Sequence, residues 1–137
     1  MQTDFFNAFE RHFKDAELLF NNSRWANAGQ LYGYSAECGI KCLMEAFGMN
    51  LDPTGEKPEN PKDQVHLPQL LIRYESYRKD YDADEFCLPE PNPFSSWSIT
   101  DRYGNESNFN EMYVNPYKEG IVDIQALIYR AKREGLL

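Results

Sequence analysis

Apolar residues recur at helical spacing in four stretches of the chain, and the second of these organises the rest. Trp25, Ala28, Gly29, Tyr32, Ala36, Gly39, Ile40, Leu43 and Phe47 follow the i, i+3, i+4, i+7 rule of a buried helix face. The pattern predicts a helix over residues 25–47, capped by Asn22 or Ser23 and left through Gly48 in the left-handed conformation. Gly29, Gly33 and Gly39 lie inside it, and each costs a helix interior about 1 kcal/mol relative to alanine. Close approach by neighbouring helices explains why they are there. The expectation is therefore a central helix packed on several sides.

The flanking stretches read as helices around it. Thr3 is placed to cap a first helix ending near residue 21, with Phe5, Phe6, Phe9, Phe13, Ala16, Leu19 and Phe20 on its apolar face. The short turn 21–23 makes the first two helices antiparallel neighbours. His66-Leu67-Pro68 opens a third helix that reaches about residue 81, with Leu67, Leu70, Leu71 and Tyr74 in the core. Asn115-Pro116 starts the last helix, and Gly135 ends it. Its core stripe is Tyr117, Ile121, Ile124, Leu127, Ile128 and Ala131. Between them lie two proline-bearing polar segments, 49–65 and 82–94, and a stretch at 97–104 read as extended or a short turn. Phe109 and Met112 anchor the segment before the last helix. The fold class expected is all-α: an up-and-down bundle of four main helices with two long proline-containing loops, one domain over residues 1–137.

Charge and composition narrow the function. A net charge of −8 opposes broad electrostatic attraction to nucleic acid, which needs a positive face to release counterions. The basic cluster Arg130, Lys132 and Arg133 suits the end of a helix dipole. Cys38, Cys42 and Cys87 are an odd set with no zinc spacing, which reads as reduced thiols in a cytoplasmic protein. No run approaches the roughly 20 apolar residues of a membrane span. Glycine-rich phosphate loops, metal-protease helices and calcium loops are absent, so neither a metal nor a cofactor is expected; the acids Asp80, Asp82, Asp84 and Glu85 lack the glycine turn of a calcium loop. His12, beside the apolar face of the first helix, has no partner motif around it and reads as packed or half-exposed.

Three segments together resemble the HEPN family, the higher eukaryote and prokaryote nucleotide-binding domain. They are the opening pair of helices ending in Glu37-x-x-x-Lys41, the His66-Leu67 opening of the third helix, and Trp97 followed by Arg102-Tyr103 ahead of the last helix. The resemblance implies a helical bundle that is often dimeric. It also implies either a ribonuclease of toxin and defence systems or an accessory domain beside a nucleotidyltransferase-type partner. Ribonuclease members carry an arginine, four to six residues, then a histidine; no arginine stands at that distance before His12 or His66. The resemblance therefore implies a non-enzymatic module that binds a nucleotide-like ligand, an RNA end or a partner protein. The alternatives are a divergent ribonuclease toxin of a toxin–antitoxin or defence system, and a purely structural dimerisation module using aromatics of the two long loops.

Glu37, Lys41, His66, Arg102 and Tyr103 are the candidate polar cluster, because polar residues within apolar segments need partners. Two readings of Glu37 stay open. With Lys41 it forms an exposed i,i+4 pair worth a few tenths of a kcal/mol, or it faces inward and holds a cation from elsewhere. Arg102 is one such cation, in which case the pair is structural and ties the Trp97 segment to the central helix.

Overall fold

The computed structural model describes residues 1–137. Four α-helices carry the fold: α1 (Phe5–Asn21), α2 (Trp25–Ala46), α3 (Leu70–Asp80) and α4 (Glu111–Arg133). There is no strand ladder, only one isolated antiparallel bridge between Leu51 and Pro58. No helix is long and apolar enough to cross a membrane. The all-α bundle expected from the hydrophobic pattern is the observed architecture.

Helix α2 is the hub, in contact with α1, α3 and α4. Its buried set includes Gln30, Ser35 and Lys41 beside the apolar residues, so the helix is enclosed on most of its circumference. The glycine notches face neighbours. Gly29 looks at Val114, Gly33 is filled by the indole of Trp97, and a Cβ at Gly39 would meet Ile124 at 2.7 Å and Phe9 at 2.8 Å. Only hydrogen at Gly33 and Gly39 lets α1, α4 and the 97–103 segment come so close, whereas a Cβ at Gly29 would meet Val114 at an ordinary 3.5 Å. Polar ties reinforce the contact. Ser35 donates to the Phe9 carbonyl at 2.9 Å, and Glu17 accepts from both Tyr32 at 2.5 Å and Lys118 at 2.7 Å, joining α1, α2 and α4.

Helix boundaries differ from expectation wherever a side chain is committed elsewhere. Asp4, not Thr3, caps α1 through a 2.8 Å bond from the Asn7 amide; Thr3 is bonded to Gly55 and Glu56 of the following loop. Neither Asn22 nor Ser23 caps α2. Asn22 donates its side-chain amide back to the Leu18 carbonyl, serving the end of α1, and Ser23 turns the chain at φ 58°. Pro68 follows a cis peptide in the turn ahead of α3, which begins at Leu70; Leu71 is half-buried and Tyr81 exposed. Helix α4 starts at Glu111 with Asn110 as cap, and Pro116 lies inside it. Met112 is 84% exposed and anchors nothing. Gly48 and Gly135 do take positive φ just past α2 and α4.

The long loops are packed, not open. They contain single-turn 3-10 helices at Pro61–Asp63, Asp84–Phe86 and Pro93–Ser95, and the stretch read as extended or a short turn forms another at Ile99–Tyr103. Phe86 and Phe94, the loop aromatics that the alternative dimerisation reading would need at the surface, are 4% and 1% exposed. The Asp84 and Glu85 carboxylates pair with Arg78 and Arg130.

Candidate functional site

A cavity of about 380 Å³ opens where α1, α2, the turn before α3 and the 97–103 segment meet. His12 comes from α1; Tyr34, Glu37 and Cys38 from α2; His66 from the turn; Trp97, Ile99 and Arg102 from the last segment. Three rings form one side of the wall. Tyr34 stands between His12, 5.6 Å away at 67°, and Trp97, 6.0 Å away at 71°, both edge-on. The indole is fixed from behind, since Nε1 donates to the Gly29 carbonyl at 3.0 Å in a buried bond.

Glu37 is the polar centre. Its Oε1 meets His66 Nδ1 at 2.8 Å and Lys41 Nζ at 3.3 Å. The carboxylate side chain is 18% exposed and the lysine 8%, so this is no surface ion pair. Glu37 does hold a group from elsewhere in the chain, but that group is His66. No Glu37–Arg102 ion pair exists, which removes the expected structural role for Arg102. The reason is the 3-10 turn at Ile99–Tyr103. Arg102 there donates to the Tyr103 hydroxyl at 2.6 Å, with its guanidinium 4.7 Å from that ring's centroid, and it stays exposed. The Tyr103 phenol, followed by that of Tyr34, keeps the Arg102 pKa above its ordinary value.

Of the five candidates, Glu37, His66 and Arg102 line one cavity; Lys41 sits behind Glu37, and Tyr103 lies outside as the support of Arg102. His12, Tyr34, Cys38, Trp97 and Ile99 also line it and were not in the candidate cluster. Hairpin symmetry points to the pairing of His12 with Tyr34, because the two are equidistant from Ser23 at the turn.

Burial sets the protonation states. Desolvation, then the nearby Arg11, lowers the His12 pKa, so the ring is neutral at pH 7. Desolvation, then Glu37, pushes the Cys38 thiol up to about 11, which keeps it protonated and weakly nucleophilic. With Lys41 offsetting Glu37, Arg102 leaves the site with a positive excess in an otherwise acidic chain. No group of three metal-ligating side chains is present.

No family model matches the chain, and no curated protein or solved structure matches it.

Proposed function

We propose that this cavity binds a nucleotide-type ligand, with the base against the Tyr34 and His12 rings and a phosphate at Arg102. The observation that carries the reading is the pairing of an apolar, ring-walled cavity of about 380 Å³ with one unneutralised guanidinium at its rim. That volume lies within the 300–1,000 Å³ typical of small-molecule sites. The segments that resemble HEPN are the ones that supply Glu37, His66 and Arg102, which supports the same reading. Nucleoside monophosphates should perturb the Trp97 indole resonance and give a measurable heat of binding. Arg102→Ala should stay folded, as an exposed residue without a buried partner, and bind these ligands roughly tenfold more weakly. Unchanged affinity in that variant, or no binding by the parent protein, removes the reading.

A second reading, cleavage of RNA, is favoured by one observation: both histidines of the chain line this cavity. Neutral His12 would take the proton of a 2′-hydroxyl as the 2′-oxygen–phosphorus bond forms. His66, oriented through Nδ1 by Glu37, would serve as the acid that protonates the departing 5′-oxygen as its bond to phosphorus breaks. Arg102 would offset charge on the phosphorane. The expected result is metal-independent cleavage of a fluorogenic RNA, lowered about 10²–10⁴-fold by His12→Ala or His66→Ala. The rate should rise with pH as His12 loses its proton, along a limb centred below the ordinary 6.5. Purified protein that leaves RNA intact in chelator ends this reading while leaving the binding reading standing.

A further inference from the structure

Glu37 carries an acceptor that the protein leaves unused. Both of its hydrogen bonds, to His66 and Lys41, fall on Oε1; Oε2 receives none. That second oxygen belongs to a carboxylate largely withdrawn from water, in a cavity walled by Tyr34, His12 and Trp97. A ligand that fills the cavity without supplying a donor would strand the oxygen out of water, and an unpartnered buried acceptor is costly. Lys41 already offsets the carboxylate and Arg102 adds positive charge nearby, so the donor that fits is a neutral N–H, not an ammonium group.

The standard bases differ sharply in what they offer such an oxygen. Guanine presents two adjacent donors, N1–H and the N2 amino group, which can converge on a single acceptor. Adenine and cytosine present one amino donor beside a ring-nitrogen acceptor, whose lone pair would face the carboxylate. Uracil presents one N–H flanked by two carbonyls. Only guanine brings two adjacent donors to the carboxylate on its Watson–Crick edge, where adenine, cytosine and uracil each set an acceptor beside a single donor.

We propose that Glu37 is a specificity-determining residue and that the cavity selects guanine nucleotides. The proposal rests on the nucleotide reading of the site and adds the base. Sites built to hydrogen-bond a ligand group reject analogues that lack it far more strongly than apolar pockets reject a missing methylene.

The test is a set of calorimetric titrations with GMP, IMP, AMP, CMP and UMP. IMP is the decisive comparison because it differs from GMP only in lacking the 2-amino group. GMP should bind at least about tenfold more tightly than each of the other four, and Glu37→Gln should bring GMP and IMP within about threefold of each other. The wild-type GMP-to-IMP ratio stands as a measurement if the variant fails to fold, which is a real prospect because Lys41 would lose its buried counter-charge. Equal binding of all five, or a GMP preference that survives in folded Glu37→Gln, overturns the proposal and leaves the nucleotide reading intact. Binding of none of them overturns both.

Discussion

Gly33→Ala is expected to destabilise the protein by about 2–4 kcal/mol, the reverse of what alanine does at an ordinary helix position. Elsewhere in a helix the change would gain about 1 kcal/mol. At Gly33 the new Cβ would overlap Cε2, Nε1 and Cζ2 of the Trp97 indole. The indole has nowhere to retreat. It is 3% exposed, bonded to the Gly29 carbonyl behind it and flanked by Tyr34. Either the core distorts, at about 1–3 kcal/mol or more, or Trp97 leaves its seat, at a cost approaching the roughly 3–5 kcal/mol of deleting a buried aromatic. Gly29→Ala is the matched control, because its Cβ would meet only Val114, at an ordinary 3.5 Å. Urea denaturation of the pair, with the Trp97 indole resonance as local probe, decides the matter. A Gly33→Ala protein as stable as the parent would overturn the packing described for α2.

Asp63→Ala is expected to cost about 2–4 kcal/mol and to loosen the candidate site from a distance. Asp63 is fully buried in the first long loop and accepts from Arg73 Nε at 2.7 Å and the Tyr77 hydroxyl at 2.5 Å, both on α3. Removing one partner of a buried charged network typically costs 3–5 kcal/mol because the other charge is left unpaired. Arg73 keeps 25% of its side chain exposed, which places the cost toward or below the lower end. The Asp63 bond keeps Arg73 firmly protonated, and burial followed by the Asp63 bond pushes the Tyr77 phenol up to about 12, so the network stays intact across the neutral range. His66 follows shortly after Asp63 and reaches Glu37 from that same loop. The variant should therefore lower the unfolding midpoint and shift the His66 ring resonances in the folded state. Loss of stability with unchanged His66 resonances would show that the tether does not position the histidine.

The bundle was legible because its evidence is periodic and local. Three glycines inside an apolar helix have few physical explanations; close packing was the right one at Gly33 and Gly39, while Gly29 has room for a Cβ. Helix starts were harder, since one side chain has several uses. Asn60-Pro61 and Asn92-Pro93 open 3-10 turns, each asparagine accepting from the amide two residues on, whereas Asn115-Pro116 lies within α4 because Asn110 caps first. The same dipeptide thus takes different roles, and tertiary packing decides among them. In the site, Glu37, His66 and Arg102 stood out as polar residues in apolar surroundings. The Glu37–His66 contact did not, because it joins residues 29 apart in the sequence, a contact that no local pattern records. His12 was passed over because its neighbours in sequence say nothing, while its neighbour in space, Tyr34, lies on the next helix.

The indole seated in the Gly33 notch carries one further consequence. It fastens the 97–103 segment to the scaffold, helped by the Gln30 side chain that donates to the Ser98 carbonyl at 3.0 Å, while Arg102 a few residues on lies at the surface. Substitutions at Ile99, Thr100 or Arg102 can therefore reshape the mouth of the cavity while the fastening, and the bundle beneath it, stay in place. Such a division between anchor and rim makes this chain a natural starting point for laboratory selection of new ligands, with residues 99–102 randomised and Trp97 left untouched.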